Sequence, residues 1–449
     1  LTDTIIALAT PPGISGLSVI RLSGSDAISI ADSCFVGKKK LTEVASHTIH
    51  YGNLVSNEEL IDTVTASVFI EPHSYTGENS VEISCHGSPI VIQEIISLLI
   101  SHGARSAQPG EFTKRAFLNG KLNLMQVESV ADIIHSKSVK GALTAARQLA
   151  GNFNQRLSEL RQKLLDIASL LELELDFADE DIDLIEKDRI INQVEESITY
   201  CKDLSASYKS SEILRSGYFI GIAGYPNSGK STLFNALLQK TRAIVSHIPG
   251  TTRDYIEETL FLDGLSVKII DTAGIRETDD VIEIEGIKLV ESVLGQSNMI
   301  IILNDISISQ ENSDNLKQQI SVKYPESEVI LVHNKIDSAN IETTNSENIF
   351  HISAKKSIGI EELKTFITEK AKQSTERVKD ILINQRHVTL LNQVVSELEN
   401  ANFAINSGLD NTAVAIDIRR ATKAIGEITG EIWSEDVLNN IFSRFCIGK

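Results

Sequence analysis

Residues 218–237 read YFIGIAGYPNSGKSTLFNAL, and the reading of this stretch decides the fold of the middle of the chain. The apolar run Tyr218–Ala223 has the length and composition of a buried strand, while Leu233, Ala236 and Leu237 keep helical spacing after Lys230. Between them, Gly224 to Ser231 fits GxxxxGK[ST]. Glycines in such a loop let successive backbone N–H groups curl around phosphate oxygens at a helix N-terminus. Lys230 is placed to neutralise the β- and γ-phosphates, and the Ser231 hydroxyl to meet Mg²⁺.

Three further signals follow in order, each at the end of a predicted strand. VKIIDTAG (Val267 to Gly274) ends in DxxG, which sets Asp271 near Mg²⁺ and the Gly274 amide near the γ-phosphate. VILVHNKID (Val329 to Asp337) ends in NKxD: the Asp337 carboxylate can accept both guanine N1–H and N2–H₂, and Asn334 supplies the facing polar contact. NIFHISAK then offers a backbone amide in Ser353-Ala354-Lys355 to guanine O6. The four signals together predict a guanine-specific α/β domain, a doubly wound sheet with its ligand at the carboxyl ends of the strands.

After DxxG many GTPases carry a glutamine that orients water, but here the residue is Ile275, which cannot hydrogen-bond it. Glu283 is one of several acids between Ile275 and Glu285, alongside Glu277, Asp279, Asp280 and Glu285, and spacing does not choose among them. In SHIPGTTRD (Ser246 to Asp254) either threonine can close over Mg²⁺, and the loop's carbonyls and hydroxyls can cage a monovalent cation. Such a cation supplies the charge that an arginine finger brings elsewhere.

The chain has 449 residues, too many for one ordinary core, so about two to four domains are expected. No apolar run reaches membrane-spanning length, no basic-then-apolar leader opens the sequence, and a cytoplasmic protein is expected. Cys34, Cys85, Cys201 and Cys446 form no CxxC pair, which argues against a disulfide framework or structural zinc. The net charge of −19 disfavours stand-alone RNA binding, and Lys38-Lys39-Lys40 reads as a solvated loop.

Leu157, Leu160, Leu164, Ile167 and Leu171 step by three and four before the central domain, as Leu391, Val394, Leu398, Ala401 and Ile405 do after it. The simplest architecture is one helical domain built from both flanks and interrupted by the α/β domain. ELELDFADEDID (Glu172 to Asp183) reads as a solvated helix face and turn rather than a metal site. The first ~120 residues hold short β-like runs punctuated by Gly and Pro, which predicts an α+β domain. Its informative polar residues are Arg21, Glu82, His86 and Lys121, each beside a glycine-containing turn.

ATPPGISGLSVIRLSG (9–24), YTGENSVEISCHGS (75–88), PGEFTKRAFLNGKLNLMQVESVADII (109–134), IPGTTRD, DTAGIRE and the terminal FCIGK together resemble the MnmE (TrmE) family of tRNA-modification GTPases over essentially the whole chain. The resemblance implies a tetrahydrofolate-binding, dimerising α+β domain at 1–120, helical parts at 121–215 and 380–449, and an inserted Ras-like G domain at 216–379. It also implies a flavoprotein partner, MnmG, in a heterotetramer or larger complex. Together the two install a carboxymethylaminomethyl or aminomethyl group at C5 of the wobble uridine, U34, with 5-formyl- or 5,10-methylene-tetrahydrofolate as the one-carbon source and tRNA held mainly by the partner.

Carried over by residue, the resemblance assigns Arg21, Glu82, Lys121 and Lys449 to folate. It assigns Asn227, Ser246, Ile248 and Thr251 to K⁺, and Ser231 with Thr252 to Mg²⁺. The GTP/GDP set becomes Asn227, Ser228, Gly229, Lys230, Ser231 and Thr232, with Thr251 and Thr252, then Asp271, Thr272, Ala273 and Gly274. Asn334, Lys335, Asp337, Ser353, Ala354 and Lys355 complete it around the base. Glu283 takes the role of orienting or activating water, with Lys230 as its catalytic companion. One departure is Ser88, where the family pattern has a second glycine. The rival reading is a regulatory or ribosome-assembly switch GTPase without modification chemistry, and a folate-binding N-terminal domain separates the two.

Cys446 is the fourth residue from the end, as in a prenylated GTPase, but Gly448 and Lys449 do not suit a prenylation box and no polybasic stretch adjoins it. No membrane anchor is expected. The resemblance turns this tail toward the folate site and leaves Cys446 as either a packed residue or a thiol that works beside the one-carbon donor.

Overall fold

The computed structural model describes residues 3–176, 187–238, 256–271, 291–338, 348–378, 381–443, 445 and 447–448. Contacts divide the chain into two compact units, one of Leu1–Ala131, Gln148–Ile198 and Gln393–Lys449, the other of Asp132–Arg147 and Thr199–Asn392.

The first unit opens with a seven-stranded sheet ordered β3-β4-β5-β6-β2-β1-β7. Its strands are β1 (Ile5–Leu8), β2 (Ser15–Ser23), β3 (Phe35–Gly37), β4 (Thr48–Ser56), β5 (Glu59–Phe69), β6 (Ser80–Gly87) and β7 (Arg105–Ser106). Alternation sets its two faces. Val81, Ile83 and Cys85 of β6 turn inward with Ile20 and Leu22 of β2, onto helices α1 (Ala27–Cys34) and α2 (Pro89–Ser101). Glu82, Ser84 and His86 take the other face, and Arg21 lies directly opposite Glu82 in the β2–β6 register. Part of that second face is covered by α3 (Glu111–Leu118), whose Phe112 packs on Ile5 and Ala7 of β1.

Helices from both flanks complete this unit. Leu157, Leu164, Ile167 and Leu171 are the buried stripe of a helix spanning Asn152–Asp176, and Val394, Leu398 and Ala401 that of one spanning Gln385–Asn406. The Asn152–Asp176 helix packs along Asn411–Thr429. Arg419 donates to both carboxylate oxygens of Glu172 (2.5 and 2.6 Å), and Arg161 joins Glu431 (2.6 Å). Glu172 opens the acidic stretch flagged in the sequence; its residues from 177 onward lie outside the described residues. Among the described residues no acidic, histidine or cysteine cluster could hold a metal ion.

The second unit holds a six-stranded sheet ordered β13-β12-β11-β8-β10-β9. Here β8 is Tyr218–Ala223, β9 Ile256–Leu262, β10 Leu265–Asp271, β11 Met299–Asp305, β12 Glu328–Asn334 and β13 Ile349–His351. All neighbours run parallel except the β9–β10 hairpin. Both faces are covered, which is why the strands read as continuous apolar runs. Ile220, Val267, Ile301 and Ile330 meet the helices Lys230–Leu238 and Ile360–Ser374, while Ile300, Ile302 and Leu331 meet Leu316 and Ile320 of Gln310–Lys323. The chain leaves β8 toward β10 on one side and β11 on the other, so the crevice at the carboxyl ends of these strands is the topological switch point.

Residues 132–147 also belong to this unit. The helix α5 (Val139–Leu149; α4 is Leu124–His135) contributes Ala145 to the core of the sheet domain. Asp132 pairs in bidentate fashion with Arg215 (2.7 Å to each nitrogen), which also donates to the carbonyls of Leu382 and Ile383.

Candidate functional site

The loop from β8 to the helix that starts at Lys230 is shaped by residues with left-handed backbones. Gly224 has φ 144°, and a Cβ there would lie 2.1 Å from the Leu303 carbonyl oxygen, so only glycine lets the loop pass β11. Asn227 (φ 61°) and Gly229 (φ 96°) curl the chain before the helix, whose first N–H groups have no partner within the helix. Lys230 Nζ donates back across the loop to the carbonyls of Gly224 (3.1 Å) and Tyr225 (3.0 Å). Ser231 and Thr232 are exposed at the helix start, whereas Ser228 is buried and its Oγ has no hydrogen-bond partner among the described residues.

Asn334, at the end of β12 and 3% exposed, joins three loops. Its Nδ2 donates to the Ser228 carbonyl (2.9 Å), and its Oδ1 accepts the Ala354 N–H (3.0 Å). A Cβ on Gly229 would lie 2.5 Å from that Nδ2, so the second loop glycine makes room for the base-side asparagine. Asp337 Oδ1 accepts the Ser353 hydroxyl (2.7 Å), and this bond holds its carboxyl below the usual carboxylate range, ionised and ready to accept N–H groups. Lys335, with φ 67°, lays its ammonium on Asp305 Oδ2 (2.7 Å) at the end of β11. Thus Ser228, Gly229, Lys230, Asn334, Lys335, Asp337, Ser353 and Ala354 converge. Asp305 belongs with them and was not read from the sequence, because nothing local marks it as the partner of Lys335.

Asp271 terminates β10 at the same sheet edge. Ser246, Ile248, Thr251, Thr252, Thr272, Ala273, Gly274 and Glu283 lie outside the described residues, as do Cys446 and Lys449.

In the N-terminal sheet the second expected site has a core. Arg21 binds Glu82 Oε1 through Nε (2.9 Å) and Nη2 (2.8 Å), and its guanidinium carbon lies 5.3 Å from the Tyr75 ring centroid and 5.7 Å from that of Phe112. Tyr75 is fixed by Thr113 (2.9 Å), and burial pushes its phenol pKa up. Lys121 Nζ donates to the Pro72 carbonyl (3.1 Å), and its side chain lies where a Cβ on Gly77 would be 3.3 Å away. Pro72 to Gly77 therefore links Lys121 to the Arg21 cluster through Tyr75. Tyr75 and Phe112 escaped the sequence reading because aromatics at such positions look like ordinary core. His86 stands apart as an exposed residue whose backbone N–H and Nδ1 both bond Asp62 (2.8 and 2.7 Å).

Two described residues of the terminal motif report on the tail. Phe445 packs with Phe442, Phe117 and Leu124, and Gly448 (φ 97°) lies so close to β1 that a Cβ would be 2.2 Å from the Leu8 carbonyl oxygen. Leu8 pairs with Ile20, one residue before Arg21.

Behind this site Arg115 is fully buried. It donates to the carboxylates of Asp3 (2.9 Å), Glu78 (3.2 Å) and Glu111 (3.1 Å), and Arg105 also binds Asp3 and Glu111. Burial works against ionisation of Glu111, but the bonds from Arg105, Gln108 and Arg115 bring its pKa below the ordinary value.

The chain matches a family model described as the GTP-binding protein TrmE N-terminus over residues 4–121, and one described as the MnmE helical domain over residues 124–446. It is 43% identical to the tRNA modification GTPase MnmE of Christiangramia forsetii, with 100% of both chains covered. It is 42% identical to that of Flavobacterium johnsoniae (100% of this chain, 99% of the relative) and 39% identical to that of Carboxydothermus hydrogenoformans (100% of both). With matches of this extent across both units, the chain belongs to the MnmE family of tRNA modification GTPases.

Proposed function

We propose that this chain is a GTP hydrolase that acts in tRNA modification, working with an FAD-dependent MnmG partner to build the carboxymethylaminomethyl or aminomethyl group at C5 of wobble uridine U34. The observation that carries the reading is the presence in one chain of the Asn334-centred guanine site and the Arg21–Glu82–Tyr75 cluster beside the terminal tail. A switch GTPase without chemistry has no use for the second.

The nucleotide loop suits the ligands assigned to it. The Ser231 hydroxyl stands exposed at the helix start for Mg²⁺ with Thr252, and the left-handed Asn227 supports a K⁺ site with Ser246, Ile248 and Thr251. These cations supply charge against the developing phosphate oxygens. Lys230 binds the β- and γ-phosphates, Asp337 and Asn334 select guanine, and Glu283 orients water in the place Ile275 cannot fill. The Arg21–Glu82 pair, with Tyr75 and Phe112 under the guanidinium, suits the polar edge and flat body of a reduced folate, with Lys121 and Lys449 completing the pocket.

Dimerisation through the N-terminal sheet accords with the apolar side chains its strands expose, Leu17 (61%), Ile49 (70%), Tyr51 (72%) and Leu60 (60%). A cytoplasmic setting accords with the lack, among the described residues, of any helix long and apolar enough to cross a membrane. Binding of GTP would then draw two G domains together, with Asn227, Ser246, Ile248 and Thr251 holding K⁺ as a source of positive charge, and hydrolysis would move the helical domain and the folate-bearing module relative to the partner. Mass spectrometry of tRNA nucleosides from cells lacking the gene tests the reading: the C5 group on U34 should disappear, and unchanged wobble uridines overturn it.

A further inference from the structure

The β9–β10 hairpin joins the two segments that the proposed function places beside the γ-phosphate, since β9 follows Asp254 by two residues and β10 ends on Asp271. At its far end the turn Asp263-Gly264 (φ 46° and 80°) is fastened at two points. The Gly264 carbonyl accepts the N–H of Val139, the first residue of α5, at 3.0 Å, and the Asp263 carboxylate accepts Lys372 Nζ at 2.7 Å. Beneath the turn is a cavity of about 550 Å³, walled by α5, the hairpin and the end of the Ile360–Ser374 helix. That volume lies within the range of small-molecule sites, which pair apolar walls with a few placed polar groups.

Its walls have both. Val139 (62% exposed) and Leu143 (54%) present apolar surface one helical turn apart, facing buried Leu265. Lys140 and Arg147 stand seven residues apart on the same face of α5, about two turns, and bracket Leu143. Among the described residues Lys140 donates to the Thr375 carbonyl and meets no acid, and Arg147 forms no ion pair. Lys372 is neutralised by Asp263, which leaves Glu376 as the one unpaired acid among the described lining residues, against two such cations. Although the net charge of the chain is −19, this apolar cavity is edged by two cations without an acidic partner among the described residues, which favours an anionic ligand there.

We propose that this cavity is a ligand site for a small carboxylate with an apolar body, and that its occupancy acts on GTP turnover. The apolar body lies between Leu143 and Leu265, and the carboxylate takes Arg147 and Lys140. Because one wall is the hairpin turn, a ligand that presses on it shifts the strand pair that carries both phosphate-flanking segments. The differential contact needed for such coupling is thus at hand.

The full-length protein is titrated with octanoate as probe, by isothermal calorimetry and in a steady-state GTPase assay. The expected result is one saturable site per chain and a change in turnover of at least twofold. Arg147→Glu should weaken binding at least fivefold, and Leu143→Trp, which sets an indole between the apolar wall and the two cations, should abolish both binding and response with basal turnover kept. Octanol should bind at least fivefold more weakly. A Lys209→Glu variant, far from the cavity in sequence and already paired with Glu326, controls for the loss of any surface cation and should bind normally. Equal octanoate affinity in Arg147→Glu and the parent, equal affinity for octanol, or binding without a change in turnover overturns the proposal.

Discussion

Asn334 and Ser228 are bonded across two loops more than a hundred residues apart, the amide of one donating to the carbonyl of the other at 2.9 Å. Since Asn334 also accepts the Ala354 N–H, one buried side chain sets the spacing between the phosphate loop and the base-binding loops. Asn334→Ala leaves a buried carbonyl and a buried N–H without partners, each at a cost of about 1–3 kcal/mol. Expected is a fall of at least tenfold in GTP and GDP affinity, read by a fluorescent guanine nucleotide. Affinity within twofold of the parent would show that the loops hold their spacing without it.

That relationship also shows what a sequence makes legible. Gly224, Gly229, Lys230, Asn334 and Asp337 are legible because phosphate and guanine dictate local backbone shape and a short list of functional groups, so their signal is contained in a few adjacent residues. Helical stripes such as Leu157–Leu171 are legible for the same reason, since burial has a period. Asp305 under Lys335, Tyr75 and Phe112 beneath Arg21, and the attachment of residues 132–147 to the sheet domain are set by pairings distant in sequence. No local pattern announces a tertiary partner.

Arg115 should be costly to remove. Its guanidinium has no exposure and meets three carboxylates, so Arg115→Met takes the ion pair from largely buried Glu78 and leaves Asp3 and Glu111 to Arg105, at about 3–5 kcal/mol. Urea unfolding followed by circular dichroism should show that loss, and guanine nucleotide affinity should stay within twofold because the affected unit is not the nucleotide-binding one. A loss under 1 kcal/mol would mean that the carboxylates find solvent.

His333 and His351 predict a pH dependence. Their rings stack at 5.2 Å on neighbouring strands β12 and β13, His333 Nδ1 has no partner among the described residues, and burial holds both pKa values below the ordinary imidazole range. The proton on one ring disfavours the other at His333, while Asp314 works in the opposite direction. With folded pKa values depressed, the unfolded chain binds more protons below pH ~6.5, so stability is full above that pH and is lost as pH falls toward the folded values. Each histidine contributes at most about 1.4 kcal/mol per pH unit. Thermal melts between pH 7.5 and 5.5 should show a falling Tm for the nucleotide-binding unit, and His333→Gln should flatten the slope. An unchanged slope would assign the acid sensitivity to other groups.

Arg21 separates the two proposed activities. Arg21→Ala removes the bonds to Glu82 and the charge over Tyr75 and Phe112, and should lower 5-formyl-tetrahydrofolate affinity at least tenfold while leaving GTP turnover within twofold. Arg21→Lys should not restore it, because an ammonium cannot reproduce the planar guanidinium that both bonds Glu82 and stacks on rings. Equilibrium dialysis with the folate decides this, and parental affinity in the alanine variant would remove Arg21 from the site.

Gly448 offers the sharpest test of the terminal tail. Its φ of 97° is one that a side chain rarely adopts, and a Cβ would stand 2.2 Å from the Leu8 carbonyl oxygen, an atom fixed within the β1–β2 ladder. Gly448→Ala must therefore lift the tail from the sheet or displace the strand, and the free end yields first. If the tail completes the folate pocket, as the neighbouring Lys449 is proposed to do, this variant should lose at least tenfold in folate affinity and in U34 modification while keeping its GTP turnover. Cys446→Ser distinguishes the thiol from the geometry that carries it. Modification retained in Cys446→Ser but lost in Gly448→Ala assigns the tail a positioning role. Loss in both, with folate affinity intact only in Cys446→Ser, assigns the thiol to the chemistry. Full modification in Gly448→Ala would detach the tail from the site altogether.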